Sequence, residues 1–165
     1  MFWFELLLTP APTPLAASAE STVVVHTPVA DGAPLRTLLY VEDNPANLEL
    51  VEQLMARRSD LRLLTAVNGT RGIEVARASQ PEVILMDINL PGISGIEAMK
   101  ILRGDPATAH IPIVAISANA MPRDIKKGLE AGFFHYLTKP IIVKEFMETI
   151  DVALKFAGKS PDQDA

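Results

Sequence analysis

Several features are missing from this chain of 165 residues, and each absence excludes a class of function. There is no cysteine, which excludes disulfide bonds, thiolate catalysis and cysteine-based metal sites. No apolar run is long enough to cross a bilayer, so we expect no membrane contact by this segment. No basic patch is visible and the net charge is -5, which argues against a nucleic acid partner. What is present, 48% hydrophobic and 21% charged residues, is ordinary for a globular protein.

The composition changes along the chain and predicts four segments. Residues 1–8 are mostly apolar and aromatic. Residues 9–35 are rich in Pro, Ala, Ser and Thr and show no helical period, which is typical of a linker. Residues 36–157 alternate strand-like and helix-like patterns and form the predicted folded domain, and residues 158–165 are a short tail.

Residues 1–8 have two interpretations. The sequence Phe2-Trp3-Phe4-Glu5-Leu6 suits a strand, which would make this segment the remnant of a preceding domain. Alternatively, the apolar opening followed by Ala17-Ser18-Ala19 fits a signal peptide and its cleavage site. Because no basic residue precedes the apolar stretch and Glu5 interrupts it, we favour the remnant strand.

Within residues 36–157, short aliphatic runs alternate with amphipathic helical patterns. Asn44-Pro45 gives a helix N-cap followed by proline, and Ser94-x-x-Glu97 is a capping box. The pattern predicts strands at residues 38–41, 61–66, 83–87, 111–116 and 133–137, with helices between them and after the last. This alternation implies one parallel sheet with right-handed crossovers. The predicted buried face of the last helix consists of Val143, Phe146, Met147, Ile150 and Leu154.

The third predicted strand, Val83-Ile84-Leu85-Met86-Asp87, is apolar for four residues and then ends on a carboxylate. A continuous aliphatic run suits a parallel sheet that is covered by helices on both faces. An ionised Asp cannot remain in such a core, so we expect Asp87 at the carboxyl edge of the sheet. That edge is where open α/β sheets bind ligands.

Polar residues also follow three other predicted strands. Glu42 and Asp43 follow the first strand, Ser117 the fourth and Lys139 the fifth. If the strand order is 2-1-3-4-5, the first and third strands are neighbours, and their three carboxylates lie close together. A divalent cation would relieve the repulsion between them, and a set of oxygen ligands without His or Cys favours Mg2+.

Beside such a cation, Asp87 can attack phosphorus and become an aspartyl phosphate. The metal would neutralise charge on the transferring group, Lys139 would supply a point charge to a phosphoryl oxygen, and Ser117 could donate to another. The ordinary structural alternatives are a helix or turn cap for Asp87 and a loop hydroxyl for Ser117. For Glu42 and Asp43 the alternative is an acidic pair favoured by a helix dipole.

These residues resemble the receiver domain of two-component response regulators, over about residues 36–157. The resemblance implies a flavodoxin-like (βα)5 fold, which is a doubly wound five-stranded parallel sheet of order 2-1-3-4-5. The matching pieces are Val41-Glu42-Asp43-Asn44, Met86-Asp87-Ile88-Asn89-Leu90-Pro91-Gly92, Ile116-Ser117-Ala118 and Leu137-Thr138-Lys139-Pro140.

The resemblance assigns a role to each of these residues. Asp87 is implied to be the phosphoacceptor, Ser117 and Tyr136 the switch pair that moves on phosphorylation, and the bond before Pro140 is expected to be cis. An aromatic residue such as Tyr136 can also simply pack in its strand. Many family members have two Asp where this chain begins with Glu, which leaves open whether that Glu reaches the metal directly or through water. The implied Mg2+ ligands are Glu42, Asp43, Asp87 and the main-chain carbonyl of Asn89.

The resemblance also implies a place in signalling. Leu39–Leu48 and Ser117–Met121 look like the C-terminal receivers of hybrid histidine kinases, and residues 1–8 resemble the closing strand of a kinase ATP-binding domain. The expected partners are a histidine kinase, in cis or in trans, and a histidine phosphotransfer protein. The expected location is the cytoplasm, with the parent kinase attached to a membrane. Such a receiver promotes its own phosphorylation and hydrolysis but is not a turnover enzyme, although its parent chain would be a kinase.

Two alternative functions remain open. A free-standing receiver would act by phosphorylation-dependent protein binding, or as a dimer, through its last two helices and fifth strand. A Mg2+-dependent phosphatase would instead use Asp87 as a turnover nucleophile. It would also need a second acid or base to activate water, and the sequence offers no good candidate, although Asn119 could position a water.

Overall fold

The computed structural model describes residues 35–118 and 121–158. The predicted segment 1–8, nearly all of the predicted linker, Asn119 and the tail after Gly158 lie outside the described residues. Among the helices it describes, none is long and apolar enough to span a membrane. The elements in chain order are β1 (Arg36–Val41), α1 (Pro45–Met55), β2 (Leu61–Ala66), α2 (Gly69–Ser79), β3 (Val83–Asp87), α3 (Gly95–Arg103), β4 (Ile113–Ser117), α4 (Pro122–Ala131), β5 (His135–Thr138) and α5 (Val143–Gly158).

The five strands form one sheet of order β2-β1-β3-β4-β5, and every neighbouring pair is parallel. This confirms the predicted five-stranded parallel sheet of order 2-1-3-4-5. The register pairs Val41 with Met86 and Asp87 with Ile116, so the ends of β1, β3 and β4 lie at one edge of the sheet. Ser117 pairs with Thr138, which brings the loop after β5 to the same edge.

Helices cover both faces of the sheet because its strands are apolar on both sides. The side chains of β1 alternate between the two layers, as the period of a strand requires. Leu39 and Val41 pack with α2 and α3, whereas Leu38 and Tyr40 pack with α1 and α5. Burial on both faces explains why β3 and β4 read as continuous aliphatic runs rather than as alternating patterns.

The predicted helix starts are confirmed by their caps. The Asn44 side chain accepts a hydrogen bond from the Ala46 amide, and Pro45 begins α1. Ser94 and Glu97 form both hydrogen bonds of a capping box at the start of α3. A Cβ atom on Gly95 would lie 2.1 Å from the Asp87 carbonyl oxygen, so glycine permits the close approach of α3 to the end of β3.

Three predicted details need correction. The fourth strand begins at Ile113 rather than at residue 111, because Pro112 has no N–H to donate to the sheet. The fifth strand begins at His135 rather than at residue 133, because the Phe133 amide donates to the Gly128 carbonyl and closes α4. Val143 was predicted to be buried but is 46% exposed, since it lies in the first turn of α5, before the helix meets the sheet at Phe146.

Candidate functional site

Three carboxylates gather where β1 and β3 end. One oxygen from each of Glu42, Asp43 and Asp87 lies within 4.8 Å of the others. Glu42 and Asp87 are 0% and 2% exposed, whereas Asp43 is exposed and opens the cluster to solvent. The structure therefore brings the predicted acidic residues together, with one open side through which a ligand can enter.

Lys139 provides the cation that this cluster needs. Its Nζ atom lies 2.9 Å from Oδ2 of Asp87 and 3.0 Å from Oε2 of Glu42. The Lys139 amide donates to the Ser117 carbonyl over 2.8 Å, which fixes the loop after β5 beside the end of β4. The peptide bond to Pro140 is cis, as the resemblance implied. One ammonium thus bridges two buried carboxylates that would otherwise be costly to bury.

Three further donors hold Glu42, and none of them was predicted from the sequence. The Tyr40 hydroxyl donates to Oε2 over 3.0 Å, and so does the Asn47 side-chain amide. The Asn44 backbone amide donates to Oε1 over 3.1 Å. A signal for Tyr40 did exist, because residues two apart in a strand share a face and Tyr40 precedes Glu42 by two.

The two buried carboxyls differ in acidity. Burial and the neighbouring Glu42 raise the pKa of Asp87 to about 6, although Lys139 and the Asn89 amide donate to it. Burial would also raise the pKa of Glu42, but hydrogen bonds involving Asp87, Lys139 and the Asn44 amide outweigh it and lower that pKa to about 2. As the pH rises, Glu42 therefore loses its proton before Asp87 does. Asp87 is the carboxyl that binds a proton below about pH 6.

The charge states of the neighbouring groups fit this arrangement. Burial opposes the charge of Lys139, but hydrogen bonds to Asp87 and Glu42 raise its pKa above the ordinary value, so it remains an ammonium. Burial, with Glu42 close by, also raises the pKa of Tyr40, so its hydroxyl keeps the proton that it donates.

The loop after β3 folds back on Asp87. The Asn89 backbone amide donates to Oδ1 of Asp87 over 2.9 Å. The main chain of Asn89 therefore lies beside the acidic cluster, where the resemblance requires it. The role of its carbonyl as a metal ligand stays a prediction.

Ser117 and Tyr136 line one cavity of about 300 Å³ next to this edge of the sheet. Both residues are buried, and Ile88, which directly follows Asp87, lines the same cavity. A Cβ atom on Gly128 in α4 would lie 2.9 Å from the Tyr136 ring, so a glycine here lets the ring pack closely on the helix. The structure thus brings the predicted switch residues to a common cavity, and their movement stays a prediction.

Comparison with known proteins identifies the family. The family model for the response regulator receiver domain matches residues 38–151. The chain belongs to this family. It is a receiver domain of two-component signalling, as the sequence resemblance indicated.

The receiver is similar to the polar-differentiation response regulator DivK of Brucella anthropi, at 38% identity over 115 residues. That match covers 70% of this chain and 93% of DivK. DivK of Brucella ovis is 37% identical over the same number of residues, with the same coverage of both chains.

Solved structures support the same fold. The receiver domain of a sensor histidine kinase from Pseudomonas aeruginosa, solved with a magnesium ion in its active-site cleft, is 30% identical to this receiver with a TM-score of 0.65. The match covers 76% of this chain and 99% of that one. The chemotaxis protein CheY4 of Vibrio cholerae matches with a TM-score of 0.67 at 22% identity, and the match covers 73% of this chain and 99% of CheY4. At this identity the match supports the fold alone.

Proposed function

We propose that this receiver accepts a phosphoryl group on Asp87 in a two-component phosphorelay, with Mg2+ bound beside it. The observation that carries the proposal is a buried Asp87 carboxylate that lies 2.9 Å from the Lys139 ammonium and within 4.8 Å of two further carboxylates. A carboxylate in a pure structural role would not need a cluster of like charges around it, because such a cluster costs stability.

The donor set of the acidic cluster fits Mg2+. The cluster offers oxygen ligands without nitrogen or sulfur, and its exposed member leaves room for water molecules. The Mg2+-bound Pseudomonas receiver, at 30% identity, supports the same proposal. When bound, the cation would neutralise charge on the transferring phosphoryl group. The residues proposed to hold it are Glu42, Asp43, Asp87 and the main-chain carbonyl of Asn89.

In the proposed reaction, an Asp87 oxygen forms a bond to phosphorus while the bond from phosphorus to the kinase histidine nitrogen breaks, and the imidazole leaves. Asp87 must be ionised to attack, and its pKa of about 6 leaves it largely ionised at neutral pH. Lys139 begins beside Asp87 and then contacts a phosphoryl oxygen. The Ser117 hydroxyl donates to another, since positioning and charge stabilisation supply most of the catalysis.

We propose that Ser117 and Tyr136 transmit the new charge to the surface. When the Ser117 hydroxyl turns toward the phosphoryl group, Tyr136 can move within the cavity that both residues line. The moved ring changes the surface between α4 and β5, because Tyr136 packs against Gly128 of α4. The proposed consequence is altered binding of partners, or of a second copy, at α4, β5 and α5.

The proposed phosphodonor is a histidine kinase, and a histidine phosphotransfer protein is the proposed acceptor downstream. The similarity to a receiver from a sensor histidine kinase supports a hybrid kinase as parent. The match to DivK over 93% of that protein supports the alternative, a free-standing receiver. The gene sequence upstream of Met1 distinguishes the two, because only a hybrid kinase has a kinase core in the same reading frame.

Acetyl phosphate with Mg2+ tests the proposed function directly. We expect one acid-stable, base-labile phosphate per chain, which disappears when EDTA removes the metal. Asp87→Asn should abolish the label, and the exposed Asp60, which pairs with Arg58, provides the matched control Asp60→Asn, which should keep it. Release of many equivalents of phosphate from unrelated esters would instead support a phosphatase, and labelling of the Asp87→Asn variant would refute the proposed acceptor.

A further inference from the structure

Three hydrogen-bond donors converge on one oxygen of Glu42. The Tyr40 hydroxyl, the Asn47 amide nitrogen and Lys139 Nζ each lie 3.0 Å from Oε2. The other oxygen, Oε1, accepts one described hydrogen bond, from the Asn44 amide over 3.1 Å. A carboxylate oxygen has two lone-pair directions, so three donors saturate Oε2, while Oε1 keeps the capacity to bind a further group.

The donors differ in how firmly they are fixed. Tyr40 is fully buried in β1, where its ring packs between the sheet and helices α1 and α5. Asn47 is half-buried in the first turn of α1, whose start is fixed by the Asn44 cap. Lys139 lies in a loop and is shared with Asp87. Two donors to Oε2 therefore belong to the rigid frame of the domain, and the third belongs to the reacting centre.

In the proposed function, Lys139 leaves its contacts with the carboxylates to reach a phosphoryl oxygen. Glu42 would then lose one of the three donors to Oε2. Without other donors the side chain could rotate and turn either oxygen toward the acidic cluster. The bonds from Tyr40 and Asn47 to Oε2 do not involve Lys139, and with the Asn44 amide on Oε1 they oppose this rotation.

We propose that Tyr40 and Asn47 are positioning residues that lock the Glu42 carboxylate, so that Oε1 is the oxygen it presents toward the divalent cation. This inference rests on the proposed function and adds to it the orientation of one ligand. It also gives a reason for Glu at this position. An Asp side chain is one C–C bond shorter, so its carboxylate would be drawn back by about 1.5 Å and could not keep the Tyr40 hydrogen bond at its present length.

Mg2+ affinity measured by isothermal titration calorimetry tests the proposal on the full chain. We expect Tyr40→Phe, which removes the hydroxyl and keeps the ring, to weaken Mg2+ binding about 10-fold, as loss of a group that orients a metal ligand commonly does. Asn47→Ala should weaken it similarly. The matched control is Gln53→Ala, because Gln53 is an exposed amide on the same helix that contacts Glu49 instead, and it should bind Mg2+ as the unmodified chain does.

A second background separates positioning from general loss of stability. In a Glu42→Asp chain the Tyr40→Phe change should have no further effect on Mg2+ affinity, since the shorter carboxylate no longer depends on the hydroxyl. Equal Mg2+ affinity in the unmodified, Tyr40→Phe and Asn47→Ala chains would overturn the proposal. So would an undiminished effect of Tyr40→Phe in the Glu42→Asp background, because the hydroxyl would then act by another route.

The two proposals fail in different ways. If the unmodified chain binds no Mg2+, the proposed function is refuted and the inference falls with it. If the unmodified chain binds Mg2+ and both variants bind it equally well, only the inference is refuted. Urea unfolding of each variant checks that it is folded. If Tyr40→Phe is too unstable to titrate, the Mg2+ affinity of Asn47→Ala tests the proposal by itself, because Asn47 is only half-buried.

Discussion

The charge of Asp87 should destabilise the metal-free protein, and Asp87→Asn, which removes that charge, should measure the effect. Asp87 is 2% exposed, and its pKa rises from the ordinary 3.8 to about 6 on folding, because burial and Glu42 disfavour its charge. At about 1.36 kcal/mol per pKa unit, this rise means that ionised Asp87 lowers the unfolding free energy by about 3 kcal/mol at neutral pH, relative to a protonated Asp87. The side-chain amide of the variant carries no charge, but it has one acceptor oxygen where Asp87 uses two, so it loses either the bond from Lys139 or the bond from the Asn89 backbone, at a cost of about 1 kcal/mol. We therefore expect it to stabilise the metal-free protein by about 1–3 kcal/mol at neutral pH.

The pH dependence follows from the direction of the shift. The pKa of Asp87 is higher in the folded protein, so its protonated form stabilises the fold below about pH 4, and this contribution is lost as the pH rises through about 6. The difference in unfolding free energy between Asp87→Asn and the unmodified chain should therefore be small at pH 4 and largest above pH 6. Glu42 has the opposite pH dependence, because its pKa is lowered in the folded protein. Its ionised form stabilises the fold above about pH 4.5, and this stabilisation is lost as the pH falls toward 2.

Urea unfolding in the presence of EDTA, measured at several pH values between 4 and 8, gives these free energies. Asp60→Asn is the matched control, because hydrogen bonds from Arg58 lower the pKa of Asp60 instead of raising it. Because the Asp60 side chain is half-exposed, Asp60→Asn should lower the unfolding free energy by less than about 1 kcal/mol at neutral pH. If Asp87→Asn is destabilising at pH 7.5, or if its effect does not change with pH, the electrostatic account of the cluster is wrong.

Three other predictions concern the same edge of the sheet. Lys139→Ala should lower the unfolding free energy by about 1–3 kcal/mol, because Glu42 and Asp87 lose their shared cation, and denaturant midpoints measure this; an unchanged midpoint would show that the bridge contributes nothing. Mg2+ affinity should fall as the pH drops below about 6, since protonated Asp87 must lose its proton to bind the metal, and calorimetry at pH 5 and 7 checks the direction. Gly95→Ala should lower the melting temperature far more than Gly104→Ala, because its Cβ would lie 2.1 Å from a backbone oxygen, whereas the nearest atom at Gly104 is 3.4 Å away; equal effects would contradict the close approach of α3 to β3.

The fold was predictable from the sequence because its elements are strongly patterned. The run that ends at Asp87 and the helix starts at Asn44 and Ser94 all lie where the patterns indicated. The boundaries that differed depend on hydrogen bonds between distant segments. Phe133, for example, has the composition of a strand residue, but its amide is taken by the Gly128 carbonyl at the end of α4.

The site was predictable to the level of which side chains meet, and not to the level of how they are held. A parallel sheet brings its strand ends to one edge, so the approach of Glu42 to Asp87 follows from topology. The bonds from Tyr40 and Asn47 to Glu42 depend on side-chain rotamers and on how α1 packs against β1. These are three-dimensional facts, and residue spacing alone does not contain them. The different acidities of Glu42 and Asp87 follow from the same bonds and were equally hidden.

The most direct test of the account is to locate the modified residue after incubation with Mg2+ and acetyl phosphate. Borohydride reduction converts an aspartyl phosphate to homoserine, and peptide mass spectrometry then identifies the position. The account predicts homoserine at position 87 alone, and none when EDTA replaces Mg2+. Homoserine at Asp43 or another acidic residue, or an unmodified chain in the presence of the metal, would contradict it.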